Sequence, residues 1–521
     1  MGKVLPQIKN IVYLMLENRS LDNLLGWLYK SSSPLNFYPH DNKTEYNGLK
    51  SYKYFNPAHS IFGDKKYFIT PIPSAHEGKA IPWYDPYEAM AKEFPYDTWN
   101  GVMNQLYGNA NLIKGMPDTS RTPGMMGFLQ DYYAREMATW QGLDITWTYT
   151  PEPKQAPIIN TLAWMYGVSD SWYCSVPTQT NPNRAFSLCG TSEGNENNGL
   201  GAIDDYNIPT IFNRLAEAKD PKSWGLYYEG TWQGDKCFTD YTFPQIRKAK
   251  YGEIATMDNF FARAKAGSLP AFTFLEPKWG YGRVYNGSFF VQGNDYHPPT
   301  LIGPGEQFLF QAYAALRESP QWKDTLFFVT FDEHGGTYDH VAPPGNALNP
   351  DGKIGKDFKF NFQRYGARVP TLLISPYVPR RTLFRKKPTE HHEYDHCSFI
   401  KTLLSWAGYE PQAMNLGKRV EYAPTFEGVL SDTLVNESGV QLEEVPFERD
   451  PEEENQDIPK SSPPQGEPLN DLFGEDFPYT SARIIIQKSD TLEDIKRGIA
   501  KFRDDPAKFE STLEKGEIPS W

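Results

Sequence analysis

Cysteine is scarce in this sequence. Its 521 residues hold four, Cys174, Cys189, Cys237 and Cys397, and none stands in C-x-x-C spacing, so neither a zinc ribbon nor a thioredoxin-type redox pair is signalled. Cys174 and Cys189 leave two readings open, a disulfide in an exported chain or a pair of buried thiols. Long apolar runs are missing as well. No segment approaches the roughly 18 residues of a membrane-crossing helix, so no integral membrane segment is expected. The opening residues carry no basic stretch followed by an apolar one. The expectation is a cytoplasmic chain, or an effector secreted by a route that needs no cleaved signal. Positive charge is also short, with 52 Lys and Arg against 65 Asp and Glu and a net charge of −13. Nucleic-acid binders need basic faces to replace phosphate counterions, so no nucleic-acid partner is expected. By the same argument, an anionic substrate must find its positive charge locally, in a metal ion or a protonated imidazole.

The chain is longer than the roughly 250–300 residues at which one core stops growing, which predicts a large elaborated domain with a smaller appendage. Aromatic residues make up 15%, enough to build a core and to leave some for a groove or a lipid contact. Ile11 to Leu16 reads as a buried parallel strand with Glu17-Asn18 at its tip. Loops dominate from about 30 to 125. Helices are predicted over Gly127–Trp140 and Ala156–Met165. Helices at Ile208–Lys219, Thr256–Ala266 and Glu306–Arg317 then alternate with strands at Trp224–Tyr228, Ala271–Leu275 and Leu326–Phe331, and Leu372–Ser375 supplies a further strand. Such alternation predicts a doubly wound α/β sheet, whose sites form beyond the carboxyl ends of strands. Residues 1–435 form the expected catalytic domain. Residues 436–521 are expected to be an acidic linker or wrapping tail, with a strand at Ile484–Ile486 and an amphipathic helix carrying Leu492, Ile495, Ile499 and Phe502 on one face.

Six of the nine histidines lie between His297 and His396, most of them beside an acid. The strongest local pattern is Asp332-Glu333-His334-Gly335-Gly336 at a strand end. Adjacent carboxylates repel unless a cation lies between them, and the glycines allow close backbone approach. Glu17-Asn18-Arg19-Ser20-Leu21-Asp22 offers further oxygen ligands. Thr178-Gln179-Thr180-Asn181-Pro182-Asn183-Arg184 offers hydroxyl nucleophiles, with Thr180 expected on a rigid Asn/Pro turn and Arg184 within reach of a phosphoryl oxygen.

Five blocks, taken in order, resemble a bacterial phosphoesterase family of phospholipases C and respiratory-burst-inhibiting acid phosphatases, within the alkaline phosphatase-like superfamily. They are Glu17-Asn18-Arg19-Ser20-x-Asp22, Pro182-Asn183-Arg184, His297-Pro298-Pro299, Asp332-Glu333-His334-Gly335-Gly336-x-Tyr338-Asp339-His340-Val341 and Tyr394-Asp395-His396-x-Ser398. The resemblance implies a three-layer α/β/α fold with a mostly parallel sheet, long loop insertions and a small C-terminal appendage. It implies a divalent metal (zinc, calcium or magnesium/manganese) on Glu17, Asn18, Thr180, Asp332 and Glu333. Thr180 matches the threonine nucleophile of the phospholipase branch, with Thr178 as the alternative. His297, His334, His340 and His396, with Arg184 and Asp339, are the implied catalytic groups. The implied substrate is a phospholipid met in transient contact with a membrane surface, cleaved to diacylglycerol and a phosphorylated headgroup. A small soluble phosphomonoester is the alternative. The chain departs from the family pattern at Leu21-Asp22-Asn23, where Phe-Asp-His is usual.

Overall fold

Strand β1 (Asn10–Leu16) is buried along its whole length, as a continuous apolar run dictates for a strand covered on both faces. In the computed structural model, the described residues are 4–442 apart from 52, 58–65, 83–85, 87–89, 91, 94–98, 109–121, 136–139, 199–205, 233, 283–289 and 357–358, together with 497, 500, 501, 504 and 505. Among them, eight further strands join β1 in one sheet: β2 (Asn36–Tyr38), β3 (Gly167–Ser169), β4 (Trp224–Tyr228), β5 (Gly252–Thr256), β6 (Phe272–Glu276), β7 (Thr325–Phe331), β8 (Thr371–Ile374) and β9 (Thr382–Phe384). Their order is β5-β4-β6-β1-β7-β8-β3-β9-β2. β8 alone runs against its neighbours, so the sheet is mostly parallel, as expected.

Helices cover both faces. On one, α3 (Thr180–Cys189) and α4 (Ile211–Glu217) pack on α7 (His396–Trp406); on the other, α2 (Pro157–Met165) and α5 (Met257–Ala266) pack on α6 (Gly303–Glu318). Short α1 (Leu21–Leu25) follows β1. This is the three-layer α/β/α arrangement. Tyr13 of β1 ties the layers together, its ring edge-on to Phe274 and Phe328 at 5.2 Å and against Phe399 of α7 at 4.1 Å. Such aromatic contacts add about 0.5–1.5 kcal/mol each beyond the area they bury.

Most predicted elements lie within a few residues of their observed bounds. One differs in kind: the Thr180–Arg184 turn is the first turn of α3, a ten-residue helix. Pro182 sits third in that helix, where a backbone N–H has no partner within the helix to lose. All four cysteines are buried free thiols, which resolves the Cys174/Cys189 alternative. The loop-rich region holds paired strands of two or three residues and a helix at Val102–Tyr107. Residues 436–440 are fastened to the main body, with Asn436 Nδ2 donating to the Met165 carbonyl at 2.9 Å and Tyr313 Oη donating to the Val440 carbonyl at 2.9 Å. Arg497, Ala500, Lys501 and Asp504 are helical and exposed. The expected apolar face of that helix, the strand at Ile484–Ile486 and the acidic stretch to Pro468 lie outside the described residues. No helix among the described residues is long and apolar enough to cross a membrane.

Candidate active site

Parallel register puts the first two site residues side by side. Leu16 pairs with Phe331, so the next residues, Glu17 and Asp332, emerge together beyond the carboxyl ends of β1 and β7. The Asp332 N–H still donates to the Leu16 carbonyl at 3.1 Å. Asn18 turns the chain through a left-handed conformation (φ +56°), and its N–H donates to Asp332 Oδ1 at 3.0 Å. Gly335, also left-handed (φ +59°), packs onto that turn; a Cβ there would stand 2.2 Å from the Asn18 carbonyl oxygen. Two separate constraints therefore require glycine.

Thr180 enters from the third segment. The Asn183 amide holds the preceding loop, donating to the carbonyls of Val176 at 3.1 Å and Thr178 at 2.9 Å and accepting from the Val176 N–H. This aims the Thr180 hydroxyl at the strand ends, where it donates to Glu17 Oε1 at 3.0 Å and stands 3.5 Å from Asn18 Oδ1. Thr178, the alternative nucleophile, is completely buried; its hydroxyl donates to the Glu196 carbonyl and accepts from the Met90 N–H. One turn along α3, Arg184 bridges the carboxylates, Nη2 to Glu17 Oε2 at 2.8 Å and Nε to Asp332 Oδ2 at 3.3 Å. Its guanidinium lies 4.4 Å from the centre of the Trp279 ring.

Two carboxylates share one cation here. Burial, and then the neighbouring Asp332 charge, push the Glu17 carboxyl well above its ordinary range against the pull of Arg184. Two carboxylates, an amide oxygen and a hydroxyl make an all-oxygen donor set with excess negative charge, which suits a hard divalent cation. Glu333 is turned back on its own loop, Oε2 accepting from the Gly335 N–H at 2.7 Å and facing His334 Nδ1 at 3.2 Å.

The four histidines do not converge. His297, half-buried, faces Asn18 Nδ2 through Nε2 at 3.0 Å, while its Nδ1 faces the Pro298 carbonyl at 2.5 Å. With the proton on Nδ1, Nε2 accepts from the Asn18 amide, which leaves Asn18 Oδ1 toward Thr180. His334, fully buried, places Nε2 2.8 Å from Gln105 Oε1. His396 donates Nε2–H to the Asp332 carbonyl at 2.6 Å, and burial lowers its pKa to about 4, so its ring is neutral at pH 7. It braces the loop behind the carboxylate and carries no charge to the site. His340 and Asp339 belong to a second cluster. There Arg368 donates to Asp339 Oδ1 at 3.0 Å and Asp22 Oδ1 at 3.1 Å, while His340 Nδ1 meets Asp22 Oδ2 at 2.5 Å. Asp22, Asp339 and His340 have ligand atoms within 4.8 Å of one another, and Arg368 already supplies the cation between the two acids.

Three positioning residues carry no signal of their own in the sequence. Gln105, Trp279 and Arg368 lie in segments without a chemical motif, and only the fold brings them to the site groups. Asp295 is legible beside His297 only as an acid; its backbone carbonyl accepts from the Glu17 N–H at 2.8 Å.

The phosphoesterase family model matches residues 8–406. Among curated proteins, non-specific phospholipase C1 of Arabidopsis thaliana is 32% identical over 82% of this chain and 71% of its own length. Non-specific phospholipase C3 of the same plant is 32% identical over 88% of this chain and 81% of its own. A non-hemolytic phospholipase C of Burkholderia pseudomallei is 27% identical over 52% and 45%. A solved protein of the alkaline phosphatase superfamily from Vibrio parahaemolyticus overlaps 52% of this chain and 64% of its own, at a TM-score of 0.31 and 14% identity. Relatives thus come from a plant as well as from a bacterium. The family match over residues 8–406 and relatives that cover more than four fifths of the chain agree: the chain belongs to the phosphoesterase family and is a phosphoric ester hydrolase.

Proposed function

We propose that the enzyme is a phospholipase C-type phosphodiesterase working through a covalent phospho-threonine, and that residues 1–435 are its catalytic domain. The observation that carries this reading is the Thr180 hydroxyl donating to Glu17 Oε1 at 3.0 Å, at the N-terminus of α3. The helix dipole favours a phosphoryl anion at such a position. The relatives named as phospholipases C support the diester substrate.

Glu17, Asn18, Thr180 and Asp332 would hold a divalent cation, with Glu333 adjacent. Such an ion lowers the pKa of an attached hydroxyl and neutralises phosphoryl charge. The protein's own groups do the rest. Glu17 is placed to receive the Thr180 proton as Oγ1 attacks phosphorus. The bond from phosphorus to the glycerol oxygen breaks, and His297, once its Nε2 leaves the Asn18 amide and takes up a proton, supplies the proton that completes diacylglycerol. Water then attacks phosphorus in the reverse sense, releasing the phosphorylated headgroup and restoring Thr180. Arg184 holds the two carboxylates in register throughout. Contact with the membrane surface is transient on this reading, because the substrate must be drawn from a bilayer.

The test is Thr180→Ala, assayed on phosphatidylcholine and on p-nitrophenyl phosphorylcholine, with elemental analysis of both proteins. The expected result is a loss of turnover of at least about a thousandfold with metal content retained. Acid-quenched wild type should carry a phosphocholine group, in phosphodiester linkage, on the peptide containing Thr180. Turnover within about tenfold of wild type would remove Thr180 as nucleophile. Hydrolysis of p-nitrophenyl phosphate without hydrolysis of the diester would replace this reading with an acid phosphatase.

A further inference from the structure

β8 reverses, and beyond it the sheet continues as β3, β9 and β2, parallel again to β1 and β7. Their carboxyl ends open on the same sheet edge as Thr180, the edge where α/β sheets bind ligands. A cavity of about 410 Å³ lies just outside them, lined by Ser171 after β3, Arg385 after β9, Lys50, Lys53 and Tyr54 after β2, and Tyr173. That volume suits a small polar molecule. At about 4.8 Å per strand, it stands roughly 12–17 Å from the Glu17–Asp332 pair, too far for one headgroup to serve both.

The lining is chemically incomplete in a specific way. Arg385 is held in a fork by Asp170, at 2.7 and 2.5 Å, and Lys50 is paired with Glu45 at 2.5 Å. Lys53, exposed, lies 5.2 Å from the centre of the Tyr54 ring and has no carboxylate partner among the described residues. Three cations therefore face two carboxylates, leaving a local positive charge on a chain of net −13. The floor is rigid: Arg368 Nη1 donates to the carbonyls of Asn47 at 2.7 Å and Asp170 at 3.0 Å, and the His340 ring lies 4.3 Å from that of Tyr54.

We propose that this cavity is a second binding site, for the phosphate monoester of a small polar headgroup. Lys53 takes the phosphate oxygens, with Lys50 and Arg385 beside it in the lining, and Tyr54 and Tyr173 flank the organic part. The phosphate comes either from a soluble phosphorylated headgroup or from a lipid such as phosphatidic acid in the bilayer. Binding here needs no turnover, so it stands or falls independently of the nucleophile assigned above.

Hydrogen exchange of the full chain, read by mass spectrometry on peptides covering 44–54 and 168–174, resolves this site from peptides covering 180–190. The protein is Thr180→Ala, to prevent hydrolysis, with phosphocholine in one arm and phosphatidylcholine vesicles doped with phosphatidic acid in the other. Exchange in 44–54 should slow several-fold, and Lys53→Glu should abolish the slowing. Lys53→Glu in an otherwise unchanged enzyme should leave diester turnover intact. Slowing with phosphocholine identifies the soluble source, and slowing with vesicles alone identifies the lipid. No slowing in 44–54 in either arm, or slowing that survives Lys53→Glu, overturns the proposal.

Discussion

The Arg184 and Arg368 clusters are built from the same parts at the same sheet edge. Each is a guanidinium between two fully buried carboxylates, Glu17 and Asp332 in the first and Asp22 and Asp339 in the second. They differ in what else is near. His340 Nδ1 lies 2.5 Å from Asp22 Oδ2 and faces its carboxylate directly. His396, the ring behind Asp332, is held neutral by burial, and Glu333 adds a third acid beside the first cluster. Burial pushes the Asp22 carboxyl up, but His340 and Arg368 more than offset it, so it ends below its usual range. Asp339 is lifted by burial to about 6 despite Arg368. Glu17 ends well above its usual range, with burial and Asp332 outweighing Arg184. The second cluster is a near-satisfied brace. The first retains unbalanced negative charge, and a hydroxyl and an amide oxygen point into it. Identical residue types thus make a structural lock or a reactive site according to local charge balance.

Removing the cation from the lock should have the largest effect on folding. Arg368→Met leaves two buried acids unpaired and is expected to cost about 3–5 kcal/mol, measured by urea unfolding at pH 7. It also frees Asn47 and Asp170, so the loops around them should become protease-sensitive. An Arg368→Met protein as stable as wild type would break the comparison.

Metal removal should separate the clusters next. Chelation is expected to lower the Tm of wild type and of Asp339→Asn, but not of Glu17→Gln, because only the Arg184 cluster has oxygen donors in excess of its cation. Equal sensitivity in Glu17→Gln would place the ion elsewhere.

The pH dependence should then differ in sign. Glu17 has a folded pKa raised above its ordinary 4.5, so its contribution is fully present below that value and is lost as pH rises through the raised one. Asp22 is lowered below its ordinary 3.8, so its contribution is present above that value and is lost as pH falls through the lowered one. In chelated protein between pH 5 and 8, Glu17→Gln should flatten a decline in stability, whereas Asp22→Asn should destabilise throughout. Parallel curves would refute the contrast.

The smallest expected effect is Gly335→Ala. Left-handed backbone and the close Asn18 carbonyl together should cost about 1–3 kcal/mol. Displacement of Asn18 should lower kcat more than it raises KM.

Much of the fold was legible because β1 and β7 are largely apolar runs and the helices between the later strands are strongly periodic. Short strands such as β3, β9 and β2, with three residues each, carry too little pattern and form only because neighbouring strands offer unpaired backbone groups. Thr180–Arg184 looked like a turn because Asn and Pro favour turns, yet the same residues suit the first turn of a helix, where N–H groups go unpaired in any case.

The sequence by itself determined the family, the strand-tip acids Glu17 and Asp332, and the threonine before Asn-Pro-Asn-Arg, because these chemistries occupy contiguous blocks. Only the tertiary structure decided which histidine faces Asn18, that Asp339 and His340 serve Arg368, and that Thr178 is turned away. Those assignments depend on distances between segments as many as 346 positions apart. Register and burial, not composition, fix which neighbour each charge meets and therefore what it can do.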